Sequence, residues 1–231
     1  MQAHGLYAYV SSSKTLLVGD LHLGKHASLQ ENVAGISLGQ DPVMKDVLDA
    51  VAAMRPARVV LLGDVLDGFS GVRGALRAEV IRFLSDLAGQ AELVLVQGNH
   101  DRFLPGMLPE GLRVATEFRF EDVLCLHGDV LPERVAGPRM IVIGHVHPAV
   151  ELSSGARLER FKCFLLGTFR GRSLLVLPSV PPWPAGANVL RESSNSPLVR
   201  DFGSCGVVAI EDGQHVPLGR VKDLRALSGK I

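Results

Sequence analysis

The sequence is short of cysteine, of net charge and of long apolar runs, and each shortage removes a class of protein. Its three cysteines, Cys125, Cys163 and Cys205, are odd in number and form no CxxC pair. That excludes a disulfide framework and leads us to expect structural thiols in a reducing, cytoplasmic compartment. No apolar run approaches the roughly 18–20 residues of a membrane span. Met1–Val10 lack the basic start and apolar run of a secretory signal, so a soluble chain is expected. Lysine plus arginine equal the acidic residues, 24 against 24, so net charge points to no polyanionic partner. A local basic patch is still enough to follow phosphates. No internal repeat, Ser/Gly linker or charge run divides the chain.

What is present is ordinary for a globular protein: 47% hydrophobic and 21% charged residues, with 25 glycines and 13 prolines implying many turns. A single domain over residues 1–231 is expected. Short apolar runs that suit buried strands recur at Leu16–Val18, Val59–Leu62, Leu93–Val96, Val123–Leu126 and Met140–Ile143. Between the first three, helices are expected. Pro42–Met54 carries Val43, Val47 and Val51 at helical spacing, with Asp41 as N-cap and Pro42 in the first turn. Ala75–Ala88 repeats the pattern through Leu76, Val80, Phe83, Leu84 and Leu87. Strand–helix alternation predicts βαβ units in the first half. From Arg113 onward the helical period fades into strand-like runs at Arg113–Phe120, Phe161–Thr168, Ser173–Val180 and Gly206–Ile210, before a short helix over Val221–Leu227. This predicts a second sheet packed on the first. Residues 181–204, with PPWP and SSNSP, resist assignment and read as a long loop or insertion, a lid or a mobile loop.

Five of the apolar runs lead into clusters of metal-ligand residue types: GDLHLG (Asp20, His22), GDVLD (Asp64), GNHD (Asn99, His100, Asp101), HGD (His127) and GHVH (His145, His147). Each cluster sits at the C-terminal end of a predicted strand, the edge where loops of open α/β sheets converge on ligands. Each has a glycine beside the polar residue, which permits sharp turns and close approach. Imidazoles mixed with carboxylates and one amide oxygen suit two divalent transition ions, manganese first, with iron, zinc or cobalt as alternatives. Magnesium prefers all-oxygen sites. Two such ions, offset by Asp20, Asp64 and a bridging hydroxide, leave a residual positive charge whose complement is a phosphate. A purely structural site would be closed by thiolates. A pair of ions about 3.5–4 Å apart activates bridging water and clamps charge during in-line displacement. The competing reading of these residues is that they are capping and turn residues at strand ends.

The five motifs, in this order over Asp20–Pro148, resemble the calcineurin-like metallophosphoesterases. The resemblance implies a four-layer αββα sandwich, of α/β (α+β) class, with two mixed sheets flanked by helices. It implies that Asp20, His22 and His147 hold one metal, that Asn99, His127 and His145 hold the other, and that Asp64 bridges them. His100 would face the substrate, stabilising a phosphoryl oxygen or protonating the leaving alkoxide, and Asp101 would orient its imidazole. Ser/Thr phosphatases of the superfamily carry GDxxDRG and GNHE, where this chain reads GDVLDGF and GNHD, so a phosphoprotein substrate is not expected. UDP-diacylglucosamine pyrophosphatases typically read GNRD at the third motif. DLHLGK and GHVHP most resemble the small ICC-like phosphoesterases of bacteria and archaea, some of them associated with DNA ligases and regarded as DNA-repair endonucleases.

The resulting expectation is a phosphodiesterase or nuclease acting on nucleic acids or nucleotides by attack of a metal-bridging hydroxide, with DNA or RNA as candidate partner and no membrane. The alternatives are a nucleotide-sugar pyrophosphatase, a phosphomonoesterase, or a non-catalytic scaffold for protein or nucleic acid. Arg157, Arg160, Lys162, Arg170 and Arg172 form a basic cluster with few aromatics, to be read as a phosphate track or as solvated strand faces. Asp67 and Asp129 read as turn residues or as supports of the ligands. Lys25 and His26 are candidates for touching substrate phosphate, and Trp183 for a loop anchor. His4 and His215 read as surface histidines.

Overall fold

A computed structural model describes residues 1–24, 41–67, 74–101, 104, 108, 112–154, 157–182 and 186–228. Lys25, His26 and Trp183 lie outside the described residues, as do parts of the expected loop at 181–204. The first sheet has six strands in chain order: β1 (Gln2–His4), β2 (Tyr7–Val10), β3 (Thr15–Val18), β4 (Arg58–Leu61), β5 (Glu92–Val96) and β6 (Arg113–Ala115). β1 to β3 form an antiparallel meander, and β3 to β6 run parallel. Helix α1 (Pro42–Met54) precedes β4 and helix α2 (Gly74–Gln90) precedes β5. α1 begins where the sequence signals it. Asp41 accepts the Val43 N–H at 2.9 Å, Pro42 occupies the first turn, and Val43, Met44, Val47 and Val51 are buried.

The second sheet is built from β7 (Glu117–Phe120), β8 (Val123–Leu126), β9 (Met140–Ile143), β10 (Pro148–Ser154), β11 (Arg157–Phe169), β12 (Arg172–Val176), β13 (Ala187–Asn188), β14 (Gly206–Glu211) and β15 (Gln214–Arg220). Its order is β13-β10-β11-β12-β9-β8-β7, with β14 on β11 and β15 on β14. β8, β9 and β12 are mutually parallel; β7, β11, β14 and β15 run antiparallel to their neighbours. The expected single strand over Arg113–Phe120 is divided. Arg113–Ala115 closes the first sheet, and after Thr116 the chain enters the second sheet as β7.

Side-chain alternation along the strands sorts the apolar residues into three layers. Leu16, Val59 and Leu93 lie in register and face α1 and α2, where Val47, Val51, Phe83, Leu84 and Leu87 cover them. Their neighbours Leu17, Val60 and Val94 face the second sheet and meet Phe118, Cys125, Val142, Phe164 and Leu175. The far side of the second sheet, through Leu124, Ile141, Cys163, Leu165 and Val176, is covered by Val189, Leu198, Val199, Phe202 and Val221. Val221 opens helix α3 (Val221–Ser228). The architecture is the expected four-layer αββα sandwich, but its outer layer on this side is α3 together with the irregular segment around 189–202. Val189, Leu198, Val199 and Phe202, in the stretch the sequence left unassigned, are core. All three cysteines are buried and free, and burial pushes their thiols up.

Candidate metal centre

All five motif loops leave the C-terminal ends of parallel strands: β3, β4 and β5 in one sheet, β8 and β9 in the other. The two sheets therefore face their ligand-bearing loops towards one rim. The first two loops are zipped together by backbone bonds. Leu21 and His22 N–H donate to the Asp64 carbonyl (3.1 and 2.8 Å), Leu23 N–H to Val65, and Asp67 N–H back to Leu23. Asp101 joins the third loop to them. Its fully buried carboxylate accepts the N–H of Val65 (2.9 Å), Leu66 (3.3 Å) and Gly98 (2.9 Å).

Among the described residues three groups of donors result: one joins His22 to Asp67 and His100, and the other two consist wholly of ligand candidates from the sequence. In the first of these two, ligand atoms of Asp20, His22 and His147 all lie within 4.8 Å of one another. Nε2 of His22 is 3.2 Å from Nε2 of His147, which is 3.3 Å from Asp20 Oδ1. The other comprises Asp64, His127 and His145. His127 Nε2 lies 3.1 Å from His145 Nδ1, 3.0 Å from Asn99 Oδ1 and 3.4 Å from Asp64 Oδ2. Asp64 Oδ2 also lies 4.0 Å from His22 Nε2, so this one carboxylate stands between the groups. All seven ligand candidates from the sequence come together.

The chemistry of this crowd calls for cations. His127 Nδ1 faces the Leu62 carbonyl at 2.8 Å, a contact that needs a proton on Nδ1. A neutral His127 would present the lone pair of Nε2 to an amide oxygen, a carboxylate and a second imidazole, whereas a protonated one donates to them. Burial disfavours charge on His127, but the Asp64 hydrogen bond, the Asp20 and Asp64 charges and the Leu62 carbonyl outweigh it and lift its pKa to about 9. The neighbours respond oppositely. Burial and the nearby His147 pull His22 down to about 4, and burial with His127 lowers His145. Asp20 and Asp64 are held below the usual carboxylate range; burial opposes this, but the histidines around them prevail, with the His100 N–H adding to it at Asp64. A divalent ion among these ligands would replace the proton on His127 as the positive charge that balances the two carboxylates. The His and Asp clusters fit metal ions, and their N/O donor set suits transition metals.

Backbone strain marks the same residues. His22, Asp64, His145 and His147 all have positive φ (43°, 44°, 60° and 47°), a region costly for non-glycine residues and concentrated at functional sites. The glycines of the motifs are required for space. A Cβ on Gly98 would fall 2.2 Å from Asp64 Oδ1, and one on Gly144 would fall 2.4 Å from Asp20 Oδ2.

His100 stands at the mouth, with a quarter of its side chain exposed. Its N–H donates to Asp64 Oδ1 at 2.9 Å, its Nε2 lies 3.9 Å from Asp64 Oδ2, and its ring meets that of His22 edge-on. Two supports were only faintly legible in the sequence. Asp67 Oδ1 lies 3.3 Å from His22 Nδ1, an ion-pair distance at a buried nitrogen that has no hydrogen-bond partner, and GDVLD is its only sequence signal. Ser196, inside the unassigned stretch, donates its hydroxyl to the Gly128 carbonyl at 2.6 Å and braces the HGD loop. Asp129 sits close enough to His145 to act on its charge. The basic cluster of the sequence is dispersed. β11 runs antiparallel to β12, so Arg157, Arg160 and Lys162 lie at the metal end of the sheet while Arg170 and Arg172 lie at the opposite end. Arg160 is paired with Glu151 at 3.0 Å. His215, expected on the surface, is hydrogen-bonded to the Gly5 carbonyl at 2.9 Å.

Residues 13–153 match the sequence model of the calcineurin-like phosphoesterase family, and the chain belongs to that family of metallophosphoesterases. Among solved structures, the nuclease MPE of Pseudomonas putida is similar over 92% of this chain and 91% of that one, with 21% identity and a TM-score of 0.63. YfcE, a phosphoesterase from E. coli, is similar over 89% of this chain and 98% of that one, with 19% identity and a TM-score of 0.44. At such identities the likeness to MPE is one of fold. No curated protein sequence matches the chain. Among the described residues no helix is long and apolar enough to cross a membrane.

Proposed function

We propose that the chain is a two-metal phosphodiesterase acting on nucleic acids or nucleotides. In this reading Asp20, His22 and His147 hold one ion, Asn99, His127 and His145 hold the other, and Asp64 bridges them. The observation that carries it is the convergence of imidazole, carboxylate and amide-oxygen ligands around His127 and Asp64, on a rim that belongs to a phosphoesterase fold. The nuclease activity named for the P. putida protein of like fold favours a nucleic-acid substrate over a small ester.

Bound there, two divalent ions, manganese before iron, zinc or cobalt, would supply the Lewis acidity that activates water and offsets charge on the phosphoryl oxygens. The remaining work falls to this chain's side chains. Asp64 is oriented by the His100 N–H, and Asp20 by the His145 N–H at 3.0 and 3.1 Å to its two oxygens. The imidazole of His100, exposed at the mouth, takes the role of stabilising a phosphoryl oxygen or delivering a proton to the leaving alkoxide. Asp101 holds the GNHD loop so that His100 keeps its place, through the amides of Val65, Leu66 and Gly98.

The test is hydrolysis by protein stripped with EDTA and restored with manganese, assayed on bis-p-nitrophenyl phosphate, p-nitrophenyl phosphate, a nucleotide sugar, and single- and double-stranded DNA. Metal-dependent cleavage of the diester and of DNA is expected. Preference for the monoester or the nucleotide sugar would replace the substrate assignment, and inactivity on every ester would end the enzymatic reading.

A further inference from the structure

After β12 the chain runs through a short irregular segment, residues 177–180, that is buried throughout. Buried backbone outside strands and helices must find its hydrogen-bond partners elsewhere, and this segment finds them on both sheets. Leu177 N–H donates to the Ile143 carbonyl at 2.8 Å, at the end of β9 from which the loop of His145 and His147 departs. Val180 N–H donates to the Asp20 carbonyl at 2.9 Å, in the first ligand loop of the other sheet. Between these two bonds the Pro178 carbonyl lies so close to Gly19 that a Cβ there would fall 2.3 Å from the oxygen. Residues 177–180 therefore bridge the two sheets at the rim that carries the ligands.

Lys162, on β11, holds this bridge. Its Nζ donates to the Ser179 carbonyl at 2.6 Å and to the Ser179 hydroxyl at 2.8 Å, and Ser179 is buried. That carbonyl and the Val180 N–H belong to one planar peptide and point in opposite directions. An ammonium on the oxygen polarises the peptide and strengthens donation by its N–H. One rigid plane thus carries Lys162 on one side and the backbone of Asp20 on the other. The Asp20 carboxylate in turn accepts the His145 N–H at 3.0 and 3.1 Å. Residue 20 is clamped through its main chain by the bridge and through its side chain by the loop after β9.

We propose that Lys162 is a positioning residue of the metal centre. Through the Ser179–Val180 peptide it fixes where Asp20 presents its carboxylate, and so the affinity for the ion that Asp20, His22 and His147 would hold. Without the ammonium, the Ser179 carbonyl and hydroxyl lose their common donor and the Val180 N–H its polarised peptide. The role rests on the two-metal reading above, which the wild-type arm of the experiment tests separately.

The full chain, stripped with EDTA, is titrated with manganese and the unbound ion is read from its electron paramagnetic resonance signal, at a temperature where circular dichroism shows each variant folded. Two ions per wild-type chain are expected. Lys162→Met should weaken by about tenfold or more the same binding step that Asp20→Asn weakens, the scale of a lost ligand support. In the double variant the two losses should fall short of their sum, because Lys162 acts through Asp20. Ser179→Ala keeps the carbonyl and removes one acceptor, so it should lose less, about 2–10-fold, the scale of one hydrogen bond; it decides the matter if Lys162→Met does not fold. Wild-type affinity for both ions in the deciding variant, with only the melting temperature lowered, overturns the proposal and leaves the metal centre standing. Fully additive losses overturn it too, since they place the effect of Lys162 outside Asp20. A wild-type chain that takes up no manganese ends the two-metal reading and this inference with it.

Discussion

Replacing Gly98 with alanine should loosen the metal centre while leaving the chain folded. The new Cβ would sit 2.2 Å from Asp64 Oδ1 and 2.3 Å from Asp64 N, against the roughly 3.5–4 Å of ordinary non-bonded contact. Asp64 cannot simply retreat. Its carboxylate holds the His100 N–H, and its carbonyl holds Leu21 and His22. The loop carrying Asn99 must therefore move by about 1 Å or more, away from the carboxylate it was packed on. Overpacking of this kind costs about 1–3 kcal/mol. At about 2–4 °C per kcal/mol for a chain of this size, the melting temperature should fall by about 2–12 °C. Displacing ligand supports costs about 10–100-fold in metal affinity, and misplacement by an ångström costs about 100-fold in turnover. Thermal melts and manganese titration of the variant measure all but the last. Gly89→Ala is the control, since nothing lies within 4 Å of its Cβ in helix α2, and it should gain about 0.5–1 kcal/mol. Wild-type metal affinity and melting temperature in Gly98→Ala would show that the overlap relaxes without disturbing Asp64, and the packing account of the motif glycines would be lost.

His100→Ala should lower turnover by about 10²–10⁴ with metal content unchanged by elemental analysis, the scale of a lost general acid; a matching loss of metal would make His100 a ligand instead. Asp67→Ala should weaken manganese binding by about 10–100-fold by removing the carboxylate charge beside the His22 ring, and unchanged affinity would reduce Asp67 to a turn residue. In metal-free protein His127 titrates near 9, above its ordinary 6.5, so its contribution to stability is complete below 6.5 and is lost as pH rises to about 9. His22 has the opposite sign: lowered to about 4, it removes stability as pH falls from 6.5 to about 4. Denaturant melts across both windows should show these slopes, and His127→Gln should flatten the alkaline one; an unchanged alkaline slope in that variant would discard the acceptor-crowding account.

The strands and helices that carry the motifs were legible because their signals are local. Asp41 before Pro42 caps a helix whatever the rest of the chain does, and three parallel strands buried on both faces read as unbroken Leu and Val runs. The division of Arg113–Phe120 between two sheets was not legible. Both halves are strands, and only pairing partners distinguish them. The segment 189–202 hid for a similar reason. It has almost no repeating pattern, yet Val189, Leu198, Val199 and Phe202 are as buried as any strand residue because the second sheet needs a cover.

By itself the sequence determined which residue types are available for chemistry and on which strand ends they sit, since ligand identity and loop position are properties of the chain read one segment at a time. Tertiary structure alone decided the rest. The distance from His22 to His147, the overlap of glycine with carboxylate, the positive φ of four ligand residues and the separation of Arg157 from Arg170 depend on two sheets meeting face to face. Contacts between residues more than a hundred positions apart follow from how layers pack, and no local pattern encodes them.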